Sequence, residues 1–233
     1  MRHNPYKICI AIHFVIFALA CSQSARQPDS SASRDTSTAA VQPDTATRNA
    51  QTGNLPPGNR EEATQTGTGL AAFVLPNYSV LDTATGDLNG DSLPDKLLLL
   101  KKKGEDTSSD VTEHPEKRPL MILTGQADGT YKLAARNDNA VLCVDCGGVM
   151  GDPYMRLVIK GGYFSVEMAG GSSWRWTRTV TFRYAPSEHN WLLYKDGHGS
   201  FHASEPDKVE TRLYTAKDFG QVSFEKFDVY KEQ

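Results

Sequence analysis

Several absences narrow this 233-residue chain before any motif is considered. No apolar run is long enough to cross a bilayer as a helix; residues 8–20 fall short of the roughly 20 required. There is no basic excess: 25 Lys and Arg stand against 28 Asp and Glu, a net charge of −3. That argues against a general affinity for nucleic acid, which needs a basic footprint. Lys101, Lys102 and Lys103 are followed at once by Glu105 and Asp106, so they read as a solvated loop tip. No G-x-S-x-G, H-E-x-x-H or comparable nucleophile–base signature occurs, and Ser172 and Ser173 sit in a glycine turn with no base nearby in sequence. No stretch has the period of a long amphipathic helix. Cysteine is scarce, four in all, and there are only three tryptophans.

What is present begins with a leader. Arg2 and Lys7 precede the apolar run, which only His13 interrupts, and it ends in Phe-Ala-Leu-Ala-Cys21. A short apolar segment behind a basic start is a secretion signal. Small residues before a cysteine resemble the cleavage box of bacterial lipoproteins. The resemblance implies a signal peptide over 1–20, a lipid on Cys21 and a membrane anchor through that lipid. Ser22 at the next position implies the outer membrane, on its periplasmic or surface side. Ordinary secretion is the alternative, because Ala18-Leu-Ala20 also fits an A-x-A cleavage site. Residues 21–69 are Ser, Thr, Gln, Asn, Ala, Pro and Gly with almost no large apolar side chain. Such a stretch buries too little surface to offset its ordering entropy, so it reads as a disordered tether. The folded part is then 70–230, of a size for one domain.

With Cys9 in the leader and Cys21 lipidated, Cys143 and Cys146 remain as C-V-D-C. In an oxidising compartment two such thiols are expected to form a short-range disulfide. A redox role would want a helix starting at the pair, but Gly147-Gly148 follows. A zinc site with His198 and His202 is the other possibility, although several strand patterns separate the two pairs.

Period-two alternation dominates the rest and predicts an all-β, mainly antiparallel fold: one sandwich or open-barrel-like domain. Trp174, Trp176, Arg178, Val180, Phe182 and Tyr184 form one face of a strand, and Arg175, Thr177, Thr179, Thr181 and Arg183 the other. Arg178 interrupts the apolar face, and a bulge or strand end is expected to turn it outward. The Gly161-Gly162 pair predicts a hairpin between 157–160 and 163–168. Strands are expected over 191–194, 209–214 and 222–227, with a helical turn near 215–219, which places an antiparallel meander over 155–228. The tryptophans are expected in the core rather than on a sugar-binding platform, because the other face of their strand is already polar.

The most specific motif is Asp87-Leu-Asn-Gly-Asp-Ser-Leu-Pro-Asp95. Asp87, Asn89, Asp91 and Asp95 recur at ligand spacing, and Leu93 would add its backbone carbonyl. Three carboxylates and an amide suit Ca²⁺, whereas softer metals prefer His or Cys. It is not an EF-hand, since its twelfth position is Leu98 and a strand-like run follows. A metal-free turn is the competing explanation, because Asp, Asn and Gly are ordinary turn residues. The loop, the Leu97–Leu100 run and the later Gly-Gln-Ala-Asp-Gly-Thr-Tyr131 resemble an FG-GAP/VCBS repeat, a blade unit of β-propellers, over 83–136. That resemblance implies a structural Ca²⁺ held by Asp87, Asn89, Asp91, Leu93 and Asp95 in a β-hairpin. Only one copy is present, and propellers need about four blades, so the expectation is one blade-like unit joined to a different sheet. The stretches around Cys146–Pro153 and 170–178 are similar to bacterial lipoproteins of unassigned function.

Together these features lead to a calcium-binding, lipid-anchored envelope domain acting as a non-enzymatic binding module for a protein or glycan partner. The alternatives are an envelope hydrolase using His198, His202 and Asp196, or an inhibitor or immunity-type lipoprotein.

Overall fold

A computed structural model describes residues 65–231. The leader, Cys21 and the tether up to residue 64 lie outside the described residues. No helix among the described residues is long and apolar enough to cross a membrane.

The chain forms two five-stranded antiparallel sheets packed as a sandwich, not a closed barrel. The first sheet holds β1 (Thr66–Gly67), β2 (Tyr78–Gly86), β3 (Asp95–Lys102), β4 (Leu120–Gly125) and β5 (Tyr131–Asn137) in the order β1-β5-β4-β3-β2. A four-residue helix, α1 (Glu105–Ser108), lies between β3 and β4. The second sheet is a meander of β6 (Tyr154–Lys160), β7 (Tyr163–Gly171), β8 (Trp174–Ala185), β9 (Asn190–His202) and β10 (Glu210–Thr215), followed by α2 (Ala216–Phe219). β1 falls inside the stretch expected to be tether: Thr66 and Gly67 pair with Lys132 and Tyr131.

The four leucines of β3 show why it carries no polar alternation. Leu97 and Leu99 face the second sheet with Leu120 and Ile122, while Leu98 and Leu100 join Phe73, Met121 and Leu123 on the opposite face. The 70–75 segment covers that outer face, so β3 is buried on both sides and its pattern becomes continuous. The inter-sheet core adds Phe164, Val166, Val180, Phe182, Phe224 and Phe227.

The Gly-Gly hairpin forms as expected, with Gly161 at φ 60° and Gly162 at φ 78°, the left-handed pair that a two-residue hairpin turn requires. Two bulged edge strands meet beside it. At the β2 bulge, Asp82 accepts hydrogen bonds from the Tyr154 hydroxyl and the Leu157 amide of β6. Burial and the bond to Asp82 both raise the Tyr154 pKa.

The expected strand over 222–227 is not there. Ser223 bridges Leu192, and a 3-10 turn follows at Phe224–Lys226. Phe224 and Phe227 stand three apart, which suits that turn and puts both rings against Phe182. The helical turn after β10 does form, closed by a capping box between Thr215 and Asp218.

Cys143 and Cys146 form the expected disulfide. It closes a tight turn in which Asp145 accepts bonds from the Ser109 hydroxyl and the Val111 amide, fastening the 105–116 arm. Replacing both cysteines with serine is expected to lower stability by about 2 kcal/mol, from the chain entropy of so short a loop. Urea unfolding of the two proteins checks this, and an unchanged midpoint would contradict it.

Candidate functional site

The 87–95 loop joins β2 to β3 and is stitched by its own side chains. Asp87 accepts from the Gly90 and Ser92 amides at 2.7 and 3.0 Å. Asn89 Oδ1 accepts from Asp91 N, and Asp91 Oδ1 accepts from Leu93 N at 2.8 Å. Asn89 Nδ2 donates to Asp91 Oδ2. These are self-satisfied Asx turns. The oxygens of Asp87, Asp91 and Asp95 do not count among the clusters of three ligand groups within 4.8 Å of one another. Among the described residues that distinction falls to Cys143, Asp145 and Cys146, whose two sulfurs are bonded to each other. His198 and His202 are not part of it, so the alternative Cys₂His₂ zinc set is not assembled.

Asp95 differs from its neighbours. It is fully buried, and its two oxygens accept from the Leu88 and Gly125 amides at 2.8 and 3.0 Å. Burial pushes its carboxyl above the ordinary carboxylate value; the two amide bonds oppose that, and the charges of Asp91 and Asp87 add to it. A cation placed among these groups would relieve the repulsion. The donor set fits a hard cation: each carboxylate oxygen keeps a second lone pair, and all candidate ligands are oxygen. Asp87, Asn89, Asp91, Asp95 and the Leu93 carbonyl are the groups that would hold it.

Two supports of the loop lie outside the motif. Gly125 sits so close that a Cβ there would be 2.5 Å from the Pro94 carbonyl oxygen. Only glycine allows that approach while its amide bonds Asp95. Leu88, the second residue of the loop, is buried in the inter-sheet core, and its carbonyl accepts from the Trp191 indole at 3.3 Å. The loop is therefore tied to the second sheet, although the two are far apart in sequence.

Ser92 occupies φ 67°, where glycine is at ease. A non-glycine residue there is strained by about 1–2 kcal/mol, and glycine's greater chain entropy offsets part of that. Ser92→Gly is expected to stabilise the protein by about 0.5–1 kcal/mol, read as a higher urea midpoint; a lower midpoint would contradict the strain.

The second sheet holds the other candidate. On its inner face Arg178 lies between Met168 and His198, and His198 pairs with Arg212 across β8, β9 and β10. Arg178 does not turn outward as expected. The bulge falls between Thr181 and Phe182, and the guanidinium stays inside. It binds fully buried Asp196 through Nε and Nη2, at 3.0 and 2.7 Å, and donates to the Val229 carbonyl. His198 Nε2 lies 3.0 Å from Asp196 Oδ1, yet it is buried and makes no well-directed hydrogen bond. His202 is not part of this group; it stacks edge-on to Trp174 and contacts Ser204 at the far end of β9.

The tryptophans divide three ways. Trp191 is core, Trp176 is half-buried over Gly170, and Trp174, at 62 % exposed, is on the surface rather than in the core.

A third polar centre was not visible in the sequence. Arg118 is fully buried, held by Glu105 of α1 and by both oxygens of Asp152 at 2.7 Å. Burial alone would lower its pKa, but the bonds to Asp152 and Glu105 outweigh it and raise it.

No protein-family model matches this chain, and neither a curated protein nor a solved structure matches it.

Proposed function

We propose that this chain is an exported, calcium-stabilised β-domain, anchored to the envelope by a lipid on Cys21, that acts as a non-enzymatic binding module for an envelope protein or glycan. The observation that carries the reading is the 87–95 loop. Its oxygen-only donor set surrounds a buried carboxylate, and its second residue is part of the inter-sheet core. A cation there would rigidify the junction of the two sheets rather than take part in a reaction. Asp87, Asn89, Asp91, Leu93 and Asp95 would hold Ca²⁺, and extracellular sites of this kind bind with dissociation constants of about 10⁻⁴–10⁻³ M. The calcium supplies charge neutralisation to the loop, while Gly125 and Leu88 position Asp95. A tethered domain with an open cleft lined by Arg178, His198 and Arg212 of the second sheet suits recognition at a distance from the membrane.

The experiment is a pull-down from envelope extract with and without calcium. A reproducible partner is expected, retained in Ca²⁺ and at most weakened in EDTA. No reproducible partner under either condition would remove the binding-module reading.

The second reading is an envelope hydrolase, and the contact between Asp196 and His198 is what favours it. A neighbouring carboxylate is one way to orient a histidine general base. A His198→Ala protein that keeps any hydrolytic activity seen in the parent would end that reading.

A further inference from the structure

The inner face of the second sheet runs on past the packed core. Val180 is fully buried, and its row runs on through Asp196 of β9 to Tyr214 of β10. The next row is Arg178, His198 and Arg212, and the one beyond is Trp176, Ser200 and Glu210. Above these rows opens a cleft of about 460 Å³, bounded by Leu142. A second hollow of about 360 Å³ shares Arg178, His198, Arg212 and Tyr214 with it and extends to Tyr230 and Lys231. This is within the size range of small-molecule sites.

The chemistry of the floor is uneven in a useful way. Arg178 and Asp196 neutralise each other, and such a buried pair adds little net stability over apolar residues of similar volume. It fixes the positions of the groups above it. His198 rests on Asp196, and its ring meets Tyr214 edge-on at 5.4 Å. The Arg212 side chain is exposed and makes no ion pair or hydrogen bond among the described residues, and the Glu210 side chain is likewise unpaired. One end of the cleft therefore offers a free guanidinium beside an imidazole; Lys231, nearby, is paired with Asp228. The other end offers a carboxylate, the Ser200 hydroxyl and the side of Trp176.

We infer that this cleft binds an acidic sugar, a uronate, with its carboxylate on Arg212 and its hydroxyls toward Glu210 and Ser200. The inference rests on the binding-module reading and names the ligand class for it. A guanidinium recognises a carboxylate by paired N–H bonds. Acceptors at the opposite end suit hydroxyl donors, and an aromatic wall suits the apolar face of a sugar ring. An acidic amino acid such as glutamate also carries a carboxylate, but it has no ring face for Trp176. The larger groove beside Asn89, of about 720 Å³, has Lys132 and His189 on its wall, but its arginine and its buried asparagine are engaged. Its Arg136 is bound to Asp138, and the Asn137 amide donates to the Phe224 and Phe227 carbonyls.

The test is titration calorimetry of the full chain, in calcium, with glucuronate, glucuronate methyl ester, glucose and glutamate. Glucuronate is expected to bind. The ester, which lacks the charge, and glucose are expected to bind at least about tenfold more weakly. Arg212→Ala is expected to weaken glucuronate by about tenfold or more, with Arg212→Lys in between and Arg183→Ala, on the other face of β8, unchanged. Arg212 is an exposed residue of an edge strand, and an unchanged melt will show that its variants fold. Equal binding of acid and ester, or of glucose, would overturn the acid assignment while leaving a sugar-binding module in place. Tighter binding of glutamate than of glucuronate, no loss in Arg212→Ala, or no binding of glucuronate at all would overturn the inference. The envelope pull-down stands independently of each of these results.

Discussion

Arg118→Ala is expected to destabilise the protein by about 3–5 kcal/mol, a fall of roughly 10 °C in melting temperature for a domain of this size. The reason is what the substitution leaves behind. The Arg118 side chain is 0 % exposed and the Glu105 side chain 6 %. Removing the cation strands the Glu105 carboxylate where solvent barely reaches it. Asp152 is 39 % exposed and can rehydrate, so it adds less. The guanidinium also reaches the Leu142 carbonyl, next to the disulfide, so the 105–116 arm and the 142–152 segment lose their common anchor. The double substitution Arg118→Met with Glu105→Gln removes both charges, and it is expected to recover at least half of the loss. Urea unfolding of the three proteins decides it. A single-variant loss under 1 kcal/mol would contradict the burial argument, and a double variant no better than the single would contradict its electrostatic origin.

The second large effect concerns calcium. At free Ca²⁺ about a hundredfold above its dissociation constant, binding to the folded state alone contributes about 2.7 kcal/mol, or about 5–10 °C in melting temperature. Asp91→Ala is expected to abolish that increment. Without calcium the same variant is expected to stay within about 1 kcal/mol of the parent, because Asp91 is exposed and loses only its bonds to Leu93 N and the Asn89 amide. Asp95→Ala behaves differently. It orphans the Leu88 and Gly125 amides in a buried site and is expected to lower stability with or without calcium. The pair of variants thus separates a cation ligand from a structural acceptor.

Much of the architecture could be read from local pattern. Gly161-Gly162 marked its hairpin because only a left-handed pair closes so short a turn. The alternation from Trp174 to Tyr184 gave the right strand and, from Trp176 onward, the right inner face. Residues 222–227 were misread because Val222 and Phe224 alternate like a strand, while Phe227 at the third place onward follows a helical turn instead. Arg178 and Arg118 were beyond local reading for another reason. Their partners Asp196 and Asp152 lie 18 and 34 residues away, and no periodicity links a buried charge to a distant one. A lone arginine in an apolar row reads as an error to be turned outward, whereas the fold compensates it in place. In the 87–95 loop the spacing identified the candidate ligands but not their support. The amides of Leu88 and Gly125 and the indole of Trp191 became neighbours only when the two sheets packed.

The two candidate regions have separate tasks in this account. The loop between β2 and β3 fastens the inter-sheet junction through Leu88. The cleft over Arg178 and Asp196 faces solvent on the second sheet. Calcium is therefore expected to change rigidity and melting more than it changes ligand affinity.

The most direct test of the central claim is a thermal melt of the purified chain in EDTA, and with Mg²⁺ or Ca²⁺ at about 10–100 mM, a hundredfold above a dissociation constant of about 10⁻⁴–10⁻³ M. The account expects a rise of about 5–10 °C with Ca²⁺, little with Mg²⁺, and none for Asp91→Ala. The same melting temperature in EDTA and in Ca²⁺ would contradict it.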